Sequence, residues 1–234
     1  MSKQAIDFDK NTHVSVNEYD QSAQLALPGY EAMHTMAFAC LKSRLPEVAN
    51  LLVVGAGTGF EIAKYGKAKS NWQILGVDPS SKMLAIAQDR INQSELSQRV
   101  QLVQGYTQEL PVAPLYDGAT CILVMHFLPD DGSKLSLLQS IAQRLKSSAI
   151  FVLVDAFGQK GSDELDRMIS ILKAYWEETG FPTDKSTKLL ENFNEGVFPI
   201  QEARVLELLQ QAGFEDIMRF YTGLWVGGWV ATKS

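Results

Sequence analysis

The stretch VVGAGTGFE, residues 53–61, lies between an apolar run and a helical pattern, and it decides the fold. Gly55 lets the chain leave a strand in a tight turn, Gly57 lets bare backbone approach a ligand, and Gly59 lets the next helix pack closely. The N-terminus of that helix offers unpaired N–H groups. A pyrophosphate-binding GxGxxG turn would have its third glycine at position 60, where Phe60 stands, so the GxGxG spacing argues against that class of ligand.

A second signal is Asp78, which ends the apolar run WQILGVD, 23 positions after Gly55. An acidic side chain at this place accepts hydrogen bonds from both hydroxyls of a ribose. The structural alternatives are a glycine turn used only for packing and a solvated aspartate that caps a helix beginning near Ser80 or Ser81. Because the turn and the acid occur together at the expected spacing, we interpret the pair as an adenosine site.

Between Asn50 and Phe157, short β-branched runs alternate with helical patterns, which predicts a parallel sheet with crossover helices. The predicted strands are NLLVV, WQILGV, VQLVQ, GATCILVM and AIFVLVDAF, and the predicted helices cover 59–67, 81–91 and 133–146. The tail FEDIMRFYTGLWVGGWVATK has two strand-like halves about a glycine-containing turn and predicts an antiparallel hairpin. We therefore expect an α/β fold with a seven-stranded, mostly parallel sheet.

We expect one domain over residues 1–234, in four parts. These are an N-terminal helical cap (1–47), a cofactor-binding core (48–157), a lid insertion (158–199), and a final helix with the hairpin (200–234). Within the insertion, a helical stretch precedes a polar segment that we predict to be irregular as far as Pro199. The cap and the insertion flank the carboxyl edge of the sheet, so we expect them to order over a bound ligand.

Composition and charge argue against several classes of partner and site. A net charge of -6, a pI near 5.1 and no run of Lys or Arg argue against a surface that holds nucleic acid. Three histidines without metal-ligand spacing predict no metal site. The longest apolar runs are strand-sized and no secretory signal is visible, which predicts a cytoplasmic protein without a membrane segment. Cys40 and Cys121 lie in apolar runs, as buried thiols do.

Four segments together resemble the successive motifs of class I S-adenosylmethionine-dependent methyltransferases: VVGAGTGFE, GVDPSSKMLAIAQ, VQLVQGYTQELP and YDGATCILVMHFLPD. The resemblance covers nearly the whole chain. It implies a Rossmann-like sandwich, S-adenosyl-L-methionine as the methyl donor and S-adenosyl-L-homocysteine as the product. The segment ALPGYEAMHTMAFACL before the first strand, and AGF before the hairpin, are similar to the carboxy-S-adenosylmethionine synthase group.

The resemblance also implies contacts: Tyr30 over the cofactor, Gly55 and Gly57 at its methionine portion, and Asp78 with Pro79 at its ribose. Tyr106 and Thr107 would face the adenine. The full predicted cofactor-binding set is Tyr30, Gly55, Ala56, Gly57, Gly59, Asp78, Pro79, Met83, Tyr106, Thr107 and Met125. Many relatives have Asp where Tyr106 stands, so backbone or Gln108 would hold the adenine amino group instead.

One departure concerns the carboxylated cofactor. Leu208 falls where the carboxy-S-adenosylmethionine group is expected to place an arginine for the extra carboxylate, and a leucine offers no bidentate partner. Arg204, one helical turn earlier, is the alternative partner, although a solvated helix surface explains an arginine there better. We predict S-adenosyl-L-methionine as the cofactor, and the sequence leaves open whether its ordinary or its carboxylated form binds.

Methyl transfer from a sulfonium is an in-line displacement that depends mainly on the orientation of donor and acceptor. His126, after the fourth strand, and Asp155, at the end of the fifth, are the candidate catalytic residues, as a base or as orienting groups. Each has a structural alternative, a histidine bonded under a loop and an aspartate that caps one. Tyr19, Phe127 and Trp225 are candidates for binding the acceptor or the sulfonium.

We therefore predict methyl transfer to a small-molecule acceptor by a monomer or a homodimer. Two alternatives stay open: an RNA-modification enzyme, acting on tRNA or making a modified cofactor for it, and a non-catalytic protein that binds the cofactor. A nicotinamide oxidoreductase is disfavoured by Phe60 and by the terminal hairpin, because a nicotinamide-binding sheet continues with parallel crossovers.

Overall fold

The computed structural model describes Asp9 and residues 19–234, so most of the predicted cap's first 18 residues lie outside it. The helices are α1 (Tyr19–Ala26), α2 (Tyr30–Arg44), α3 (Phe60–Ala68), α4 (Ser81–Gln93), α5 (Ser133–Ala142), α6 (Asp163–Thr179), α7 (Thr183–Gly196) and α8 (Glu202–Gln211). The strands are β1 (Ala49–Val54), β2 (Trp72–Asp78), β3 (Val100–Gln104), β4 (Tyr116–Ile122), β5 (Leu145–Ala156), β6 (Phe214–Gly223) and β7 (Val226–Lys233).

The strands form one seven-stranded sheet in the order β3-β2-β1-β4-β5-β7-β6. The first five are parallel to one another, and β7 runs antiparallel to both β5 and β6. The predicted mostly parallel sheet with a C-terminal antiparallel hairpin is therefore confirmed. Strand β7 lies inside the sheet between β5 and β6, and not at its edge.

Side chains of the central strands alternate between two apolar layers, because successive residues of a strand point to opposite faces. Leu51 and Val53 of β1 pack with α2, α3 and α6, whereas Leu52 and Val54 pack with α5 and α8. All four are almost fully buried. Each such side chain contributes about 1.5–3 kcal/mol of transfer free energy, and the two layers hold the strand ends rigidly in place.

Two local predictions were wrong. Helix α5 ends at Ala142, and Leu145, which shares the spacing of the helix, is instead the first residue of β5, paired with Tyr116. The polar segment that we expected to be irregular contains α7, a helix that buries only Phe193 and Gly196. An amphipathic helix with so narrow an apolar stripe carries a weak sequence signal.

The chain reverses its direction of travel across the sheet at β1. It proceeds outward from β1 to β2 and β3, then crosses back to β4 on the other side. The carboxyl ends of β1 and β4 thus diverge into opposite connections, which is where open α/β sheets bind ligands. Helices α1 and α2 are held near this edge in part by the indole N–H of Trp176, which donates to the Ala26 carbonyl at 2.9 Å, and by the Tyr221 hydroxyl, which donates to the Pro28 carbonyl.

Within the part of the chain that the structure describes, no helix combines the length and the apolar character that crossing a membrane requires.

Candidate functional site

A cavity of about 230 Å³ opens at the carboxyl ends of β1, β2 and β4. Its floor is the glycine turn after β1, and its opposite wall comes from α1 and α2. The predicted residues that line it are Tyr19, Tyr30, Gly55, Ala56, Gly57, Asp78, Pro79, Met83, Tyr106, Thr107, Gln108 and Phe127. The structure therefore brings most of the predicted cofactor contacts, and two of the three predicted acceptor contacts, into one space.

The glycine turn has the backbone that its sequence requires. Gly55, Gly57 and Gly59 all have positive φ, at 73°, 52° and 72°. A side chain at Gly55 would collide with Val124, and one at Gly59 would press on Ala87 of α4, so these two glycines serve close packing. A methyl group at Gly57 would meet only the Gly55 carbonyl oxygen, at 3.8 Å, because the space beside it is the cavity.

Asp78 ends β2 with its carboxylate turned toward the glycine turn. Its Oδ2 accepts the Gly57 N–H at 2.8 Å, and its Oδ1 accepts the Ser80 N–H at 2.9 Å. The cap of α4 is the Ser80 hydroxyl, which accepts the Met83 N–H at 3.1 Å, so Asp78 is not needed as the cap. Burial raises the pKa of Asp78, and the two N–H groups oppose that shift. Each carboxylate oxygen keeps lone pairs for a further donor from the cavity.

The side of the cavity predicted to face adenine lies beyond β3. Thr107 is buried, whereas the Tyr106 side chain is 61% exposed and offers an accessible aromatic face. The Tyr106 N–H donates to the Glu109 carboxylate at 2.7 Å, which fixes the short helical turn that carries Thr107 and Gln108. Gln108 lines the cavity. Its side-chain amide is therefore available to the adenine amino group, as expected where Tyr106 stands in place of an aspartate.

Five predicted residues do not line the cavity: Gly59, Met125, His126, Asp155 and Trp225. Met125 is fully buried under the wall, and its carbonyl accepts a hydrogen bond from Lys134 Nζ at 2.9 Å. Trp225 is buried with its ring 4.8 Å from that of Phe193, edge to face, so it packs the hairpin against α7. These positions depend on tertiary packing that the local sequence does not reveal.

The structure places His126 and Asp155 against each other. Asp155 Oδ1 lies 2.6 Å from His126 Nδ1 and also accepts the His126 backbone N–H at 3.0 Å. Both residues are buried, and Asp155 Oδ2 has no partner. Burial lowers the pKa of the neighbouring Lys134, while the charge of Asp155 opposes that shift. The pair fixes the helical turn Met125–Phe127, whose last residue reaches the cavity wall.

Helix α1 closes the cavity on the side opposite the sheet. The Thr58 hydroxyl donates to Asp20 Oδ1 at 2.6 Å, and Arg90 of α4 pairs with Asp20 Oδ2 and donates to Thr58 Oγ1 at 3.2 Å. Burial, with the charges of Asp20 and Asp78, raises the pKa of Tyr19 to about 12. Residues 158–199 do not line the cavity, but they support α1 through Trp176.

Sequence reasoning missed four polar residues of the cavity: Asp20 and Thr58, which bond to each other, and two more deeply placed ones, Glu61 of α3 and His34 of α2. Glu61 is 5% exposed; its Oε1 accepts the Thr120 hydroxyl at 3.0 Å, and its Oε2 has no partner. Both ring nitrogens of His34 are buried without partners, and burial lowers its pKa to about 4. The available signal was helical spacing: Glu61 shares a buried face with Tyr65, and His34 shares one with Tyr30.

Neither residue considered for a carboxylated cofactor reaches the cavity. Leu208 is fully buried between α8 and the sheet, on the face away from α2. Arg204 lies on the surface, where it pairs with Asp130 at 2.9 Å and with Glu207 at 2.8 Å. Among the described residues, the cavity lining contains three acids (Asp20, Glu61 and Asp78) and no lysine or arginine.

Residues 51–148 match the family model described as "Methyltransferase domain", which covers β1 to the start of β5 and therefore the glycine turn and Asp78. A carboxy-S-adenosyl-L-methionine synthase from Nautilia profundicola is 20% identical over 212 residues, which are 91% of this chain and 88% of that protein.

Among solved structures, an O-methyltransferase family protein from Burkholderia thailandensis superposes with a TM-score of 0.66 at 13% identity, over 94% of this chain and 59% of that one. An O-methyltransferase family 2 protein from Planctomyces limnophilus, solved in complex with apigenin, has a TM-score of 0.59 at 15% identity, over 96% of this chain and 64% of that one. This chain thus spans about three fifths of each, and the two show a shared fold. Residues 51–148 are therefore similar to a methyltransferase domain, and the solved structures have the same fold as this chain.

Proposed function

We propose that this chain transfers a methyl group from S-adenosylmethionine to a small-molecule acceptor by in-line displacement. The supporting observation is that the Asp78 carboxylate and the open side of Gly57 face one cavity, linked by a 2.8 Å hydrogen bond. The carboxylate keeps lone pairs for the ribose hydroxyls, and the bare backbone leaves room for the chain that joins ribose to methionine. The residues present therefore fit the cofactor.

When bound, S-adenosylmethionine supplies an electrophilic methyl group on a sulfonium, with a neutral thioether as the leaving group. The contribution of the protein is to orient the two reactants, an effect that supplies on the order of 7–11 kcal/mol. Tyr19, Tyr30 and Phe127 give the cavity an aromatic wall, and such rings attract a sulfonium through their faces and exclude water.

In this proposal His126 and Asp155 are positioning residues, because they bond to each other outside the cavity lining and hold the turn that presents Phe127. His126→Gln would lower the methyl-transfer rate without altering the shape of its pH profile. If His126 is instead the general base, the variant would lose the limb of the profile that reports histidine deprotonation. The pH profile separates the two roles, which a rate at a single pH does not.

A small acceptor is supported by the enclosure of the cavity under α1 and by its apolar and aromatic wall. The apigenin bound by the Planctomyces limnophilus protein is a ligand of this size class on a similar fold. RNA is the weaker candidate, since the net charge is -6 and no lysine or arginine lines the described cavity. The same lining leaves the extra carboxylate of a carboxylated cofactor without a cationic partner, which favours ordinary S-adenosylmethionine.

The test is transfer of a labelled methyl group. The full chain and its Gly57→Val variant are incubated with S-adenosylmethionine carrying a tritiated methyl group and with a cell extract, which is then separated into small-molecule, RNA and protein fractions. Label that enters the small-molecule fraction with the wild-type chain alone supports the proposal. Label in RNA overturns the choice of acceptor, and cofactor binding without any transfer identifies a non-catalytic binding protein.

A further inference from the structure

Glu61 is a buried acid that the described protein leaves half satisfied. It is the second residue of α3, two positions after the glycine turn, and it is one of the residues that line the cavity. The Thr120 hydroxyl, from the neighbouring strand β4, occupies Oε1 at 3.0 Å. Oε2 is buried without a partner. An unmade hydrogen bond at a buried carboxylate oxygen is costly, so its retention indicates a partner that is supplied with the ligand.

The groups around Glu61 do not include a cation. The cavity lining near it consists of His34 and Tyr30 of α2 and the aromatic ring of Phe60, with no lysine or arginine among the described lining residues. His34 is no counterion, because burial lowers its pKa to about 4 and the ring is neutral at ordinary pH. The same burial raises the pKa of Glu61 to about 8, as expected of a carboxylate without an opposing charge.

We propose that Glu61 is the receptor for the α-ammonium group of the methionine portion of the cofactor, with Oε2 accepting its N–H. This inference rests on the proposed function. Of the two cationic groups of S-adenosylmethionine, only the ammonium donates hydrogen bonds, and Oε2 requires a donor. Asp78, Gly57 and Glu61 line the same cavity, and Asp78 is bonded to the Gly57 N–H, so a ligand with its ribose at Asp78 can extend over the bare backbone toward Glu61.

Two ligands that differ only in the amino-acid portion test this assignment. S-adenosylhomocysteine carries the α-ammonium group, and 5′-methylthioadenosine lacks the whole amino-acid end. Calorimetric titration of the full chain with both ligands, in the wild type and in Glu61→Gln, measures how far Glu61 contributes to binding of the amino-acid portion that carries the ammonium. We expect Glu61→Gln to weaken S-adenosylhomocysteine on the order of ten- to a hundredfold, as for a lost charge-assisted hydrogen bond, and to change methylthioadenosine less than about twofold.

The matched control is Thr120→Val, which keeps the carboxylate and removes its hydroxyl partner, and which should preserve the preference for S-adenosylhomocysteine. Glu61→Ala provides a second variant should the amide pack poorly. An equal loss of both ligands, or an unchanged ratio between them, overturns the role of Glu61 and leaves the methyltransferase assignment intact. A wild-type chain that binds neither ligand overturns the proposed function, and the role of Glu61 with it.

Discussion

The two ends of the cavity differ in how completely the protein satisfies its own polar groups. At the end near β2, both oxygens of Asp78 accept backbone N–H groups, and the glycine turn is packed against Val124 and Ala87. At the end under α2, one oxygen of Glu61 and both ring nitrogens of His34 are buried without partners. We call these the satisfied end and the unsatisfied end of the cavity.

We expect the satisfied end to set the affinity for adenosine ligands in general, and the unsatisfied end to set the selectivity among them. The satisfied end is built from strand ends and a turn whose bonds are made without a ligand, so it presents a fixed adenosine site. The unsatisfied end completes its hydrogen bonds only with a partner from outside the protein. A change at the satisfied end should therefore abolish binding of every adenosine ligand, whereas a change at the unsatisfied end should alter which of them binds well.

The largest effect is expected from a side chain at the satisfied end. Gly57→Val places a β-branched residue at φ 52° and fills the open side of the turn. We expect S-adenosylhomocysteine affinity to fall by more than about a hundredfold, which is about 2.7 kcal/mol, by calorimetry. Gly180→Val is the matched control, since Gly180 has a similar φ of 71° with open space around it. It should lose comparable stability and keep its affinity; parallel losses in both variants would contradict a ligand role for Gly57.

The next effect concerns stability at the unsatisfied end. With a pKa near 8 in the folded state and near 4.5 when unfolded, Glu61 keeps a proton on folding between these pH values. The contribution of Glu61 to the free energy of unfolding should thus fall as the pH rises from about 5 to 8, and then level off. Glu61→Gln removes this dependence and should be more stable at pH 8 by on the order of a few kcal/mol.

Urea denaturation of both chains at several pH values measures this difference. In the folded chain Tyr30, Tyr65, Cys121 and His34 stay neutral in the window, because burial raises the pKa of the first three and lowers that of His34. His34 gains a proton on unfolding below its ordinary pKa of 6.5, and this contribution cancels because both chains contain His34. The slope of the difference therefore reports Glu61 alone. Curves that stay parallel from pH 5 to 8 would show that the carboxylate is already charged, with a partner supplied by the protein.

A smaller effect is expected where α1 meets the cavity. Arg90→Gln breaks the pair with Asp20 and the bond to Thr58, which are partly exposed. We expect a two- to fivefold loss of S-adenosylhomocysteine affinity, together with faster hydrogen exchange in residues 19–26. Lys69→Gln removes a comparable pair with Glu47, away from the cavity, and should change neither. If hydrogen exchange in α1 is equally fast in the wild type and in the Arg90 variant, this link does not hold α1 over the cavity.

The smallest effect is expected from Arg204→Ala. Its guanidinium forms ion pairs with Asp130 and Glu207 on the protein surface, outside the cavity. Affinity for S-adenosylhomocysteine should stay within about twofold, and the mass of the ligand that co-purifies should not change. Selective loss of a carboxylated ligand in this variant would contradict the choice of ordinary cofactor.

The satisfied end was predictable from the sequence because its residues act locally. Each of Gly55, Gly57 and Asp78 lies at the end of a strand whose apolar run is visible, and the parallel order of the strands brings those ends together. The hairpin was predictable for the same reason, since the turn is encoded where it occurs. The prediction required only one contact between residues that are distant in sequence, the one between Asp78 and Gly57.

The unsatisfied end was not predictable, because Glu61 and His34 line one cavity only when α2 packs across α3, with the His34 ring 5.0 Å from that of Phe60. Neither residue stands in a motif, and each looks like an ordinary member of its helix. Trp225 was misplaced for a related reason: the packing of α7 on the hairpin, which buries Trp225 against Phe193, depends on a helix whose apolar stripe is short. The orientation of His126 likewise depends on Asp155, 29 residues later in the chain.

The position of β7 in the sheet determines when the sheet can be completed during synthesis of the chain. The ribosome releases β7 after β6, yet β7 lies between β6 and β5. Until Val226–Lys233 emerges, the edge of β5 is unpaired over Phe151, Val152 and Leu153, all fully buried in the finished sheet. Val226 follows Ala156 by 70 positions, so at about 5–20 residues per second this interval lasts on the order of ten seconds. Intermolecular strand pairing at the edge of β5 is therefore possible from the emergence of β5 until β7 has paired with it.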